Sequence, residues 1–347
     1  VNQDLEELDR QIVELLHRRA VVAAARQGRS PPGKSASAPD SERLEGLQRM
    51  SEAAIAEILE HVDRLTRVGP PACRVAYLGP EYSYSHLAAL KYFGEAATLL
   101  PTASIAGVFS SVARGDCDQG VVPVANSTDG RVVDTLDSFA RQPLAICGEV
   151  LLPIHHYLLG TGSRGQIREI HSKPQAISQC RNWLAQFLPA VRLVEVTSTA
   201  AAAETAAQRP EVAAIASLEA GRRYGLRAID EKIEDQSDNT TRFVVIGRGE
   251  PLATGDDKTS IVFQVPHLPG ALADALNIFK TCGLNLTSIE SFPLPGTGGE
   301  YLFFVELEGH RSQPSIGAAL EQLRRQAVRL DVLGSYPRDR NGQRVAR

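Results

Sequence analysis

The run Asn239-Thr240-Thr241-Arg242-Phe243 leads straight into the apolar segment Val244-Val245-Ile246. An amide, two hydroxyls and a guanidinium at the mouth of a short β-run suit the binding of a small polar anion. A Thr-Arg pair at a strand start also fits a plain solvated edge, because threonine favours strands and arginine blunts edges. Three further polar clusters each close an apolar run: Gly79-Pro80-Glu81-Tyr82-Ser83-Tyr84-Ser85-His86, Pro123-Val124-Ala125-Asn126-Ser127, and His171-Ser172-Lys173-Pro174-Gln175 through Gln179-Cys180. His86 and His171 are the side chains in these clusters that titrate near neutral pH unperturbed. Ser172 is an N-cap type, and Pro174 suits a first helical turn, where its missing N–H costs nothing. A helix opening there would present free N–H groups to a carboxylate, with Gln179 one turn further on.

These clusters need a scaffold, and the pattern of the chain describes one. With 347 residues, the chain has room for two or three domains. Its 43% hydrophobic and 22% charged content is that of a globular protein. A net charge of −4 gives no reason to expect a nucleic-acid or membrane partner. No apolar run reaches the ~18–20 residues of a membrane span, and no signal peptide is expected from Val1-Asn2-Gln3-Asp4. Cys73, Cys117, Cys147, Cys180 and Cys282 are scattered and never in CxxC spacing. That argues against disulfides and zinc, and suits a reducing cytoplasm.

Residues 1–69 read as a helical arm. Leu5, Leu8, Ile12, Leu15 and Val22 fall on one helical face, and Ile55, Ile58, Leu59, Val62 and Leu65 on another. A Pro/Ser/Ala-rich linker runs between them from Ser30 to Ser41. From Arg74 short β-runs alternate with helices: Arg74–Leu78, Leu87–Phe93, Gly120–Val124, Val132–Phe139, then a strand at Ile170, a helix Gln175–Phe187, Val191–Val196, Thr199–Ala207 and Val212–Ala216. Two α/β lobes follow from this, with residues 74–149 and 235–249 in one and 150–234 in the other. Binding residues are expected in loops at the strand ends. Residues 258–337 read βαββαβ, a ferredoxin-like plan.

Together the four clusters resemble the prephenate dehydratase family. The third region, with Pro269-Gly270-Ala271-Leu272, Glu290-Ser291-Phe292-Pro293 and the ending Leu333-Gly334-Ser335-Tyr336-Pro337, resembles its ACT domain. The arm resembles an all-helical chorismate mutase through Leu8-Asp9, Leu15-Leu16, Arg19 and Glu42. The resemblance implies a P-protein-type arrangement: helical arm, two-lobed α/β catalytic domain of periplasmic-binding-protein type, and C-terminal ACT domain. It also implies loss of water and CO2 from prephenate to give phenylpyruvate, in phenylalanine biosynthesis, with no metal or organic cofactor. Alternatives of the same class act on arogenate or decarboxylate without aromatisation; a two-lobed amino-acid sensor without chemistry is a different class.

Carried over by motif, Thr241 acts at the leaving hydroxyl, with Asn126, Ser172 and Gln179 as further catalytic residues. Arg242, Phe243, Lys173, Ser127 and His86 are expected at the substrate, with Arg242 either on a carboxylate or bracing the two lobes. Gly270, Ala271, Leu272, Glu290 and Ser291 are expected to bind L-phenylalanine as effector, in a homodimer or homotetramer. The chain departs from the family pattern at Ala125, where glutamate is usual, at Phe292, where arginine is usual, and at Tyr82, Ser83 and Leu87. In the arm, Asn2, Ser30 and Ser41 stand where cations would hold the dianion chorismate. Burying a dianion without them is costly, so an arm without mutase activity is expected.

Overall fold

The computed structural model describes residues 73–142, 144–294 and 300–339. The arm expected at 1–69, with Asn2, Ser30 and Ser41, and residues 340–347 lie outside the described residues.

The first α/β segment runs β1 (Arg74–Leu78), α1 (Tyr84–Phe93), β2 (Thr98–Thr102), α2 (Ile105–Arg114), β3 (Gln119–Asn126), β4 (Gly130–Arg131), α3 (Val133–Arg141) and β5 (Ala145–Pro153). The pair β2 and α2 was not anticipated, although Ile105, Val108, Phe109 and Val112 form a buried helical stripe. Ser104 caps this helix by accepting from the Gly107 N–H at 3.1 Å, and Gly115 closes it with φ 81°. The helix lies so close to the sheet that a Cβ at Gly120 would meet Val108 at 2.5 Å.

The second segment runs β6 (Tyr157–Gly160), β7 (Glu169–Ser172), α4 (Pro174–Gln179), α5 (Arg181–Phe187), β8 (Arg192–Glu195), α6 (Thr199–Gln208), β9 (Val212–Ala216), α7 (Leu218–Arg223) and β10 (Arg227–Asp230). The single helix expected over 175–187 is broken at Cys180, whose backbone leaves helical geometry with φ −112° and ψ 14°. The chain then returns through β11 (Thr240–Gly247) to the first sheet, whose order is β2-β1-β3-β11-β5 with β4 on β3. The second sheet has the order β10-β6-β9-β7-β8. Strand β5 stays in the first sheet to Pro153, four residues past the boundary expected at 149.

The last segment is β12 (Asp257–Gln264), α8 (Ala271–Thr281), β13 (Leu286–Pro293), β14 (Tyr301–Glu308), α9 (Pro314–Gln326) and β15 (Arg329–Pro337). Its antiparallel sheet has the order β13-β14-β12-β15, as the βαββαβ pattern requires. One face carries Ile261, Phe263, Val305 and Leu307 against both helices. The other carries Val262, Leu302, Phe304 and Tyr336 into a core shared with Val124, Ile146 and Val244 of the first sheet. The motif 333–337 has its reason here. A Cβ at Gly334, φ 152°, would lie 2.3 Å from the Ile146 carbonyl oxygen, so β15 meets β5 backbone to backbone. Among the described residues no helix is long and apolar enough to cross a membrane.

Candidate active site

A cleft of about 480 Å³ opens beside the start of β11, lined among others by Asn126, Asp129, Arg131, His156, Lys173, Gln179 and Thr241. The register of β11 on β3 sets Thr241 opposite Asn126. Asn126 donates through Nδ2 to Thr241 Oγ1 at 2.8 Å and to Asn239 Oδ1 at 2.8 Å. Its Oδ1 accepts the backbone N–H groups of Thr128 and Asp129 at 2.9 and 3.0 Å. The Asn126 amide is therefore fully occupied within the protein. It positions Thr241, and because Thr241 already accepts from it, the Thr241 proton is free for the cleft.

Gln179 enters from α4. Its Oε1 accepts from Asn239 Nδ2 at 3.0 Å and lies 2.7 Å from His156 Nε2, while its Nε2 donates to Asp129 Oδ2 at 2.8 Å. His156 is 2% exposed and its pKa is lowered, chiefly by burial. Tyr84 Oη lies 2.8 Å from the His155 carbonyl oxygen and 3.2 Å from His156 Nδ1. Burial also drives the Tyr84 pKa well up, so it serves as a neutral donor.

Of the residues singled out in the sequence, Thr241, Asn126, Gln179 and Lys173 line this cleft. Five others do not. Ser172 is fully buried and its hydroxyl donates to the Ile215 carbonyl at 2.6 Å. It does not cap α4, whose N-cap is Lys173 without a side-chain bond. Ser127 is exposed, and its hydroxyl accepts the Thr240 N–H at 2.9 Å. Phe243 is 1% exposed and belongs to the core. His86 packs between Tyr77 and Tyr82, its Nδ1 accepting the Tyr82 N–H at 3.0 Å. Tyr82 has φ 63°, so His86 fastens a left-handed turn.

Arg242 faces away from the cleft, as the alternation of a strand dictates once Thr241 faces in. It neither binds in the cleft nor braces the two lobes. Its guanidinium forms a two-armed pair with Glu306 of the third sheet, Nη1 reaching Oε2 at 2.8 Å. Nη1 also reaches Glu149 Oε2 at 3.2 Å, and Lys258 Nζ reaches the same oxygen at 3.0 Å. Burial by itself would raise the Glu306 pKa, but Arg242, then Lys258 and Arg131, outweigh it and hold it below the usual range. Ala125 lies between Arg131 and Arg242 in the cross-strand row. With no glutamate at 125, these arginines meet carboxylates from the third sheet, Glu306 on Arg242 and Glu290 on Arg131 at 3.0 Å, beside Glu149 of β5 on Arg242.

The effector residues are also divided. Ser288, Glu290 and Phe292 share the β13 face that pairs with Glu306, Phe304 and Leu302 of β14, with Ser288 also accepting from Arg131. Ser291 lies on the opposite face and is exposed. Leu272 packs against the helix-side core, as does Leu286. Gly270 is the N-cap of α8 with φ 87°, and an added Cβ would meet nothing within 4 Å. Its glycine serves the left-handed backbone rather than a close approach.

Asn239 of the opening motif joins the site, together with His156, Asp129, Arg131, Tyr84 and Glu234, to which the sequence assigns no functional role. The His155-His156 pair ending an apolar strand was the signal that could have pointed to two of its contacts.

The family model described as prephenate dehydratase matches residues 75–251, and the ACT domain model matches residues 259–325. A protein of Stutzerimonas stutzeri named bifunctional chorismate mutase/prephenate dehydratase is 40% identical, with 96% of each chain covered. The solved prephenate dehydratase of Arthrobacter aurescens in complex with L-Phe is 34% identical, with a TM-score of 0.72, covering 78% of this chain and 91% of its own. A structure described as a novel type of quorum quenching acylase, GqqA, is 31% identical, with a TM-score of 0.71, covering 78% of this chain and 100% of its own.

Proposed function

The chain belongs to the prephenate dehydratase family, and from that premise we propose how its cleft converts prephenate to phenylpyruvate, CO2 and water in phenylalanine biosynthesis. Loss of carboxylate carbon as CO2 supplies the electron pair that makes the ring aromatic as the C4 hydroxyl leaves. The protein has to hold the substrate and help the hydroxyl depart as water. Thr241 donates a hydrogen bond to the leaving oxygen, and the proton that turns it into water is drawn from solvent through that hydroxyl. The observation that carries this assignment is the 2.8 Å bond from Asn126, which occupies Thr241 as an acceptor and leaves its O–H to donate. A threonine hydroxyl is a weak acid, so it acts by hydrogen-bond donation and relay.

Lys173 lines the cleft and is assigned to a substrate carboxylate, whereas Arg131, at the cleft edge, shares the face of Arg242 and is engaged by Glu290 and Ser288. Gln179 offers the second hydrogen of its Nε2 once Asp129 has taken the first. The test is direct: pure protein with prephenate, followed by phenylpyruvate absorbance in alkali. Absence of product would overturn the reading, and product from arogenate at higher kcat/KM would move the preferred substrate.

The ACT domain makes the enzyme feedback-regulated by L-phenylalanine. A homodimer or homotetramer in the cytoplasm completes this reading, with the exposed Ser291 and the Gly270 turn as effector contacts. The arm is corrected. Relatives covering 96% of this chain are named for both activities, so the expectation of an arm without mutase activity finds no support. Chorismate consumption by the full chain measures that activity.

A further inference from the structure

The hydrogen bonds around Thr241 have a single consistent direction, fixed at one end by the backbone. Asn126 Oδ1 accepts two backbone N–H groups, which cannot act as acceptors, so its Nδ2 must face Asn239 and Thr241. Asn239 then receives at Oδ1 and donates from Nδ2 to Gln179 Oε1. Gln179 is held the same way from its other side, because Asp129 accepts from its Nε2. With Oε1 fixed as an acceptor, the ring nitrogen 2.7 Å away must carry a hydrogen. His156 is therefore the Nε2–H tautomer, and its bare Nδ1 shares the Tyr84 proton with the His155 carbonyl. Glu234 locks the ring's backbone, accepting the His156 N–H at 2.8 Å while its other oxygen lies 2.7 Å from His155 Nδ1.

Resting on the dehydratase reading above, we propose that His156 is a positioning residue for the reaction: its neutral Nε2–H tautomer orients the Gln179 amide, which bridges the second sheet's helix α4 to Asp129 and Asn239 beside Thr241. A Gln179 amide turned the other way would set N–H groups against His156 and Asn239, and an oxygen against the Asp129 carboxylate. Without His156, one of the two donors that forbid that turn is gone. His156 acts through Gln179 and not on the substrate, so its loss should lower kcat more than it raises KM.

The experiment is a two-by-two set of His156→Phe and Gln179→Ala, with His156→Gln as the conservative variant, each assayed with prephenate. His156→Phe should lose about tenfold in kcat, the scale of one lost neutral hydrogen bond. His156→Gln, whose amide N–H can reach Gln179, should recover most of it. On the Gln179→Ala background, His156→Phe should cost nothing further, because contacting residues in one network are not additive. Wild-type kcat in His156→Phe, no recovery in His156→Gln, or a full loss on the Gln179→Ala background would each overturn the proposal. The tautomer is read without turnover: imidazole ¹⁵N shifts of the wild-type protein should place the His156 hydrogen on Nε2, and a hydrogen on Nδ1 of the neutral ring would overturn it. Wild-type protein inactive on prephenate but with the Nε2–H tautomer would sink the dehydratase reading while upholding the orientation of Gln179.

Discussion

Thr241 and Arg242 are neighbours in sequence and opposites in environment. Thr241 sits in a web of amides, an imidazole and a phenol, where direction of donation matters and no cationic side chain is bonded among the described residues. Arg242, on the other face of β11, sits in a buried cluster with Glu306, Glu149 and Lys258 that ties the first sheet to the third. A strand sends successive side chains to opposite faces, so one short motif serves both chemistry and assembly. The amide web can be retuned one bond at a time. The ionic cluster is all or nothing, because a lone buried charge is far more costly than a matched pair.

Arg242→Ala should break the comparison most violently. It leaves Glu306 and Glu149, with 12% and 1% exposed side chains, short of their counter-charge. Loss of one partner of a buried pair costs about 3–5 kcal/mol, read as a fall in the denaturation midpoint. The folded fraction should keep a near-normal KM for prephenate. A large KM increase with unchanged stability would return Arg242 to the substrate. Thr241→Ala should do the converse, lowering kcat by ~10²-fold with little change in KM or stability. Thr241→Ser should keep much of the activity, and near-normal turnover in Thr241→Ala would remove it from the chemistry.

Acid should separate the two regions next. The Glu306 pKa is held down by Arg242 against the opposing effect of burial. A depressed carboxyl contributes stability above its unfolded value, and this is lost as pH falls through the folded value. Stability should therefore decline below the ordinary glutamate range, and Glu306→Gln should flatten that decline in denaturation midpoints measured against pH. An unchanged slope would mean that other carboxylates carry the acid sensitivity.

Much of this was legible in the sequence, and the omissions have physical reasons. The βαββαβ segment was readable because short apolar strands such as β12, buried nearly end to end, alternate with helices that keep a stripe. The α2 stripe is equally plain in the sequence, with Ser104 and Gly115 at its ends, although no polar motif marks it. The break at Cys180 follows tertiary burial, with the thiol fully enclosed, and no local signal marks it. Residue types showed that polar groups gather near Thr241, but not which face each would take. Ser172 and Phe243 point into the core, and Glu290 and Ser291 part across β13, which only the registers decide. His156 and Asp129 reach Gln179 from 23 and 50 residues away, a separation that spacing cannot read.

The smallest effect on stability should carry the most information about regulation. Arg131 lines the cleft and also holds Glu290 and Ser288 on β13, next to the exposed Ser291. Its pair with Glu290 is partly open, with side chains 21% and 41% exposed. Pairs of that kind are worth about 0–1 kcal/mol, so Glu290→Gln should barely move the denaturation midpoint. The same change removes the charge through which β13 engages a cleft residue. An effector can shift an equilibrium only by its differential affinity for two states, typically ~1–3 kcal/mol for coupled sites. If that coupling runs through Arg131, Glu290→Gln should raise the L-phenylalanine concentration giving half-inhibition several-fold. Calorimetry should also show prephenate-site ligands and L-phenylalanine opposing each other less than in the wild type, since linkage makes the coupling reciprocal. Inhibition unchanged in Glu290→Gln would place the link elsewhere, with the core around Phe292 and Phe304 next in line because it joins the same strand to the first sheet.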